Sequence, residues 1–113
     1  MDDRHFSHFH IAGFTYYDGS EVFYKLKIGT VLKLVAEPEN QFDPYATAIY
    51  FQDHKLGYIP RDQNKEIYKF LLLGHSDIFI ARINSVVESE NPERQIGVIV
   101  KIKAKNPAKK PVK

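Results

Sequence analysis

Ala36-Glu37-Pro38-Glu39-Asn40-Gln41-Phe42-Asp43-Pro44-Tyr45-Ala46-Thr47-Ala48-Ile49 begins as a strand, breaks into a polar loop and returns to apolar alternation. Proline has no N–H to give to a ladder, so Pro38 and Pro44 mark the shoulders of that loop. Asn40 and Asp43 are residues that bond their own backbone in Asx-type turns, which stiffens a tight corner. Phe42 is the odd member of the stretch. An aromatic at the tip of a polar turn either folds back as a plug on the core or offers a stacking face outward, and local sequence leaves both readings open.

Period-two alternation extends on either side. Thr30-Val31-Leu32-Lys33-Leu34-Val35-Ala36 reads as a strand with Leu32, Leu34 and Ala36 on one apolar face. Thr47, Ile49 and Phe51 alternate with Ala46, Ala48 and Tyr50, which describes a strand buried on much of both faces. Asp53-His54-Lys55 is the expected turn into Leu56-Gly57-Tyr58-Ile59, completing a hairpin. Upstream, His8 to Phe14 alternates as a first strand, with Phe9 and Ile11 on one side. Tyr16-Tyr17-Asp18-Gly19 supplies an Asp-Gly turn signal, and Val22 to Leu26 is too short to assign.

Downstream of Pro60-Arg61 the period changes. Ile67, Phe70 and Leu71 share one helical face, Asp62 is placed as N-cap, Glu66 lies in the first turn and Gly74 stands where a helix stops. The expectation is one main helix near residues 62–73. From Asp77 alternation returns, with Phe79, Ala81, Ile83, Ser85 and Val87 facing one way. Glu88 to Arg94 reads as a polar loop, and a last strand carries Ile96, Val98, Val100 and Ile102 inward. About six strands with one helix and hairpin-short connections describe a mainly β (α+β) domain. A small antiparallel β-barrel, OB-fold-like or SH3-like, is the economical arrangement because it closes its own edges.

The 113 residues suit one domain, expected over 1–104, followed by a basic tail over 105–113 whose plainest reading is a solvated end. Hydrophobic residues at 43% permit a packed core. The absence of cysteine excludes disulfides and thiolate zinc sites. No apolar run approaches a membrane span, and the polar start Met1-Asp2-Asp3-Arg4-His5 does not read as a secretory leader, so a soluble cytoplasmic domain is expected. The formal charge of +2 is uneven. Six of the sixteen basic residues fall in the last thirteen positions, which hold no acid, leaving ten against fourteen acids before them, a formal −4. That sign does not describe a broad cationic face for duplex DNA; contact with nucleic acid must be local.

Catalytic signatures are missing from the sequence. No serine sits in Gly-x-Ser-x-Gly, and no Gly-x-x-x-x-Gly-Lys-Ser/Thr is present, so neither a nucleophile elbow nor a P-loop is available. His8-x-His10 places two imidazoles on one side of a strand, short of a zinc ligand set, and an outer polar face explains them equally well. Glu37 and Glu39 read as a solvated loop. Neither an enzyme nor any metal or cofactor is expected. What recurs is aromatic and polar residues at strand ends: Tyr16, Tyr17, Phe42 and Tyr58, with Arg61 close behind. Either most of these rings belong to the core, or they converge on one surface where rings stack on unpaired bases and a guanidinium meets phosphate.

Taken in order, Tyr16-Tyr17-x-Gly19, Glu37-Pro38-x-Asn40-x-Phe42-Asp43-Pro44-x-Ala46-x-Ala48-Ile49 and Leu56-Gly57-Tyr58-Ile59-Pro60-Arg61 resemble the HIRAN domain over about residues 9–88. That resemblance implies a small β-barrel related to the OB-fold. HIRAN domains stand at the front of DNA-remodelling ATPases in eukaryotes and occur as stand-alone or differently fused modules in bacteria and phages. It also implies recognition of single-stranded DNA, particularly a free 3′ end, in fork processing and DNA repair. Carried over by position, Tyr16 and Phe42 match rings that stack on terminal bases. Asn40 and Asp43 match polar groups near the terminal sugar hydroxyl and base, Arg61 matches a phosphate-binding residue, and Tyr58 lines the same pocket, with Tyr17 expected among the nucleic-acid-binding residues. Thr15 stands where fork-remodelling members carry arginine, which implies one phosphate contact fewer. The expected partners are single-stranded DNA or DNA ends, with a helicase, ATPase or nuclease acting in trans. The alternative is a protein-interaction or regulatory module that has lost nucleic-acid binding.

Overall fold

The alternation flanking the central loop forms two strands whose ladder closes the loop's base. β2 (Val31–Ala36) and β3 (Thr47–Phe51) pair antiparallel, with Ala36 opposite Thr47. The computed structural model describes residues 3–88, 91 and 94–105, so most of the expected basic tail lies outside the described residues. β3 continues into β4 (His54–Tyr58) through the two-residue turn Gln52–Asp53, where Gln52 takes φ 54°. The hairpin is as expected, but its turn is one residue earlier, because His54 already pairs with Phe51.

β1 (Arg4–His10) starts and ends earlier than the expected His8–Phe14. It is held by its ladder to β6 (Ile96–Ile102), which runs from Arg4–Ile102 to His10–Gly97. Phe9 and Ile11 are both buried as the alternation required, although Ile11 lies past the strand's end. Beyond it the chain leaves the ladder and tightens into a 3₁₀ turn over Phe14–Tyr16. The Asp18-Gly19 signal marks the start of a short helix, α1 (Gly19–Val22), rather than a hairpin turn. A Cβ at Gly19 would enter the Phe14 ring, so glycine is needed there for close packing. A second 3₁₀ turn, Phe23–Lys25, accounts for the unassigned stretch.

Another 3₁₀ turn, Arg61–Gln63, precedes the main helix, α2 (Lys65–Leu72). Asp62 falls inside that turn, and the N-cap position belongs to Asn64. The buried face is also rotated from the one expected: Ile67 and Tyr68 are buried, whereas Phe70 is partly exposed with its ring against Phe79. Gly74, at φ 90°, ends the helix with paired bonds from its own N–H to Leu71 and from His75 N–H to Phe70, the double reversal that a left-handed glycine permits. β5 (Phe79–Val86) buries Phe79, Ala81 and Ile83, then a bulge between Ile83 and Ser85 breaks the phase. Val87, expected on the inner face, is therefore half exposed past the strand's end.

Six antiparallel strands form one sheet in the order β1-β6-β5-β2-β3-β4, with α1 and α2 as its helices. The expected barrel is not a closed ladder. Among the described residues no ladder joins the two edge strands; the segment after β1 meets β4 in one isolated bridge, in which Ala12 and Tyr58 exchange backbone bonds of 2.8 and 2.9 Å. The core runs through the sheet, with Ile49, Leu56, Ile67, Val98 and Val100 wholly buried. Among the described residues no helix is long and apolar enough to cross a membrane.

The bridge depends on Gly57, whose φ of 146° lies outside the range ordinary residues adopt. A Cβ at this position would collide with the Ala12 carbonyl oxygen and the Ile11 side chain. Gly57→Ala is expected to cost about 2–4 kcal/mol, combining backbone strain with overpacking. Urea denaturation measures it; a loss under about 0.5 kcal/mol, the level of an ordinary surface change, would show that the bridge is dispensable.

Candidate functional site

The central loop is organised by its own side chains. Asn40 Oδ1 accepts the N–H of Phe42 at 2.8 Å and of Asp43 at 3.0 Å, and Asp43 Oδ1 accepts the N–H of Tyr45 at 2.9 Å. At the base, Glu37 N–H donates to Ala46 C=O at 2.9 Å. These are the Asx turns read from the sequence, and they leave the Phe42 ring pointing away from the core, 83% exposed.

Two further elements bracket the loop. The Ala12–Tyr58 bridge carries the Phe14–Tyr16 turn to the edge of β4, where Asp18 N–H also bonds Lys55 C=O at 2.9 Å. Tyr16 is thereby left 81% exposed, and Tyr17 packs edge-on against the Tyr58 ring at 5.7 Å. On the other side, the Arg61–Gln63 turn brings Arg61 Nη2 to Phe42 C=O at 2.7 Å, with Arg61 Nε 3.8 Å from Asp43 Oδ2. All seven residues singled out from the sequence, Tyr16, Tyr17, Asn40, Phe42, Asp43, Tyr58 and Arg61, line one cavity of about 430 Å³. Ala12, Ala46 and Ile59 supply apolar surface between them.

Three structural partners of the site were not apparent in the sequence. Glu37 is not a solvated loop residue: its side chain is 15% exposed and Oε2 pairs with Lys55 Nζ at 2.8 Å. Lys55 Nζ also donates to the Tyr58 hydroxyl at 2.6 Å, and that hydroxyl donates to Glu37 Oε1 at 2.8 Å. The ammonium lies 4.5 Å from the Tyr58 ring centre and 5.0 Å from that of Tyr17, so one cation braces both rings. Burial pushes the Glu37 carboxyl up, but hydrogen bonds from Lys55, Tyr58 and Asn40 outweigh it and hold the group below its ordinary range. Burial pulls Lys55 down, and its bonds to Glu37 and Tyr58 reverse that and raise it. Tyr58 is pushed up to about 12, first by burial and then by the Glu37 carboxylate it bonds.

The third partner is Asn64, 1% exposed, whose Nδ2 donates to Asp43 Oδ2 at 2.9 Å. Asn64, although at the N-cap position, makes no side-chain cap to α2; its Oδ1 is buried without a hydrogen-bond partner among the described residues. No local pattern pairs residues 43 and 64; only the packing of α2 under the loop does. Near the chain's start, the histidine contact is His5 Nε2 to His8 Nδ1 at 3.0 Å, across a bulge that shifts the register. Among the described residues no three His, Cys, Asp or Glu side chains group as a metal would need.

The site therefore offers two uncovered aromatic faces, a guanidinium 71% exposed, and a carboxylate fixed from beneath. A family model described as the HIRAN domain matches residues 5–105 of this chain. The chain belongs to the HIRAN domain family. HIRAN domains are nucleic-acid-binding modules, and the match spans nearly the whole of this sequence. The fold also resembles that of a crystallised protein from Lactobacillus plantarum, with a TM-score of 0.73 at 20% identity over 90% of this chain and 97% of the other. No curated protein matches the sequence.

Lys55→Met is expected to destabilise this HIRAN domain by about 1–3 kcal/mol near neutral pH, since it strips charged hydrogen bonds from a mostly buried carboxylate. The depressed Glu37 contributes stability above its ordinary value of 4.5 that is lost as pH falls through the lower folded value. The raised Lys55 contributes stability that is present below its ordinary value of 10.5 and lost as pH rises beyond it. The gap between wild type and variant should hold between these limits and close at both ends, as urea melts across pH will show.

Proposed function

We propose that this HIRAN domain is a non-catalytic module that binds single-stranded DNA by its 3′ end. The observation that carries the reading is that Tyr16 and Phe42 line one cavity and yet remain 81% and 83% exposed. Large rings left uncovered beside a concave surface are suited to stacking on unpaired bases, at about 1–3 kcal/mol per base. Arg61 spends one donor on the loop and keeps others of its five N–H groups for a phosphate. Each Asp43 oxygen accepts one hydrogen bond and retains a lone pair, so the carboxylate can accept from a 3′-hydroxyl while repelling a phosphate. Asn40 contributes chiefly by shaping the loop, since its carbonyl oxygen is taken by two backbone donors. With Thr15 in place of a cation, phosphate contact falls mainly on Arg61. Any catalysis would belong to a partner in trans, such as a helicase, ATPase or nuclease.

Fluorescence anisotropy with oligonucleotides ending in a 3′-hydroxyl or a 3′-phosphate tests this. The hydroxyl end should bind about tenfold or more tightly, a margin typical of one charged hydrogen bond. Phe42→Ala should lose at least about fivefold in affinity through lost stacking, with an unchanged melting temperature because the ring lies outside the core. Indifference to the 3′ group would remove the role given to Asp43. No affinity for any oligonucleotide at low salt would overturn the proposal and favour a protein-interaction module.

A further inference from the structure

A second concavity of about 590 Å³ adjoins the first. The two share Ala12, and the consecutive residues Pro60 and Arg61 line the second and the first respectively. Ala12 thus lies on both rims, with the Pro60–Arg61 step beside it. His8 and His10 of β1 and Arg94 line the second groove, which faces the Arg61–Gln63 turn. His8 and His10 lie two apart on an edge strand and are both exposed while Phe9 between them is buried, so the two imidazoles share the outer side. Their spacing along the strand, about 6.8 Å, is comparable to one nucleotide of an extended chain. Ser7 Oγ of β1 donates to Gln63 Oε1 at 3.0 Å, which links β1 to the Arg61–Gln63 turn on the groove's other side. Asp62 is the one carboxylate in its lining.

From this continuity we infer that the groove is a second subsite, which takes the phosphodiester backbone of the nucleotides that precede the one held in the first cavity. Arg94 supplies a permanent cation with a planar set of donors. His10 donates an N–H in either protonation state, and His8, whose Nδ1 meets His5 Nε2, offers Nε2–H when Nδ1 accepts from His5. The chain carries a net acidic balance before its last thirteen residues, so a track of donors confined to one groove guides a single strand without attracting duplex nonspecifically. Two adjoining subsites give the module a footprint of about four or more nucleotides, within the range of small β-domains that bind single strands. This inference rests on the terminal cavity being the binding site for the strand's 3′ end.

The test compares dT2, dT4 and dT8 with free 3′ ends, binding to wild type, Arg94→Gln, the His8→Ala/His10→Ala double variant, Asp62→Asn and Phe42→Ala. Wild-type affinity should rise by tenfold or more from dT2 to dT8. Arg94→Gln should weaken dT8 by about tenfold and leave dT2 unchanged, the loss expected for one charged hydrogen bond. It should also reduce the slope of log affinity against log salt by about 0.7, the increment for one phosphate on a single strand. The histidine double variant should weaken dT8 alone, and Asp62→Asn should strengthen it. All five substituted positions are exposed, so melting temperatures should not move. Equal binding of dT2 and dT8, or dT8 binding untouched by the Arg94 and histidine variants, would overturn the groove while Phe42-dependent binding of dT2 left the terminal cavity standing. Absence of dT2 binding, together with dT8 binding indifferent to Phe42→Ala, would overturn both.

Discussion

Two backbone hydrogen bonds between Ala12 and Tyr58 join the elements that line the cavity of Tyr16 and Phe42. β1 and β4 are the outer strands of the sheet, and without the bridge each would present unpaired N–H and C=O groups to solvent. The bridge satisfies one pair of these groups and carries the segment after β1 across to β4. That segment then tightens into the turn bearing Tyr16 and Tyr17, which is why these rings reach the loop bearing Phe42. The approach is close enough that position 57 admits no Cβ. A glycine that does not itself line the cavity thus sets its geometry.

Around that junction the polar side chains divide into those that build and those that remain available. Asn40, Glu37, Lys55 and Asn64 are occupied by the loop, by one another or by Asp43. Their bonds fix Tyr17 and Tyr58 as a wall and Asp43 as an oriented acceptor. What is left uncovered is aromatic surface and part of one guanidinium. A site preorganised in this way spends little ordering itself when a ligand arrives. It also reconciles an acidic body with nucleic-acid binding, because its acids near the cavity are paired or bonded internally.

The likeness to the Lactobacillus plantarum protein separates fold from site. At 20% identity the two chains share a fold across nearly their whole lengths, which requires similar apolar patterning and turns but few identical residues. What such a domain binds depends instead on which side chains the scaffold presents at its surface. Function on such a scaffold has to be read from those residues.

The alternation of Leu32 and Leu34, of Ile49 and Phe51, and of Val98 and Val100 was enough to mark β2, β3 and β6, because one buried face imposes period two on a strand. The loop's Asx turns were legible for a similar reason: Asn40 and Asp43 act on backbone groups two or three residues away. Boundaries at His10, the rotated face of α2 and the bulge after Ile83 were not, since each is set by a partner distant in sequence. The ordered motifs named the residues that line the cavity, but not whether Phe42 was plug or platform. Sequence by itself determined the strands, the stiff loop and the inventory of rings and charges, all consequences of local periodicity and short-range bonding. Only the tertiary structure decided that Glu37 is buried against Lys55, that Asn64 fixes Asp43, and that Tyr16 and Phe42 meet at one cavity. Those outcomes depend on contacts between residues 18 and 21 positions apart, or on the Ala12–Tyr58 bridge, which no local pattern encodes.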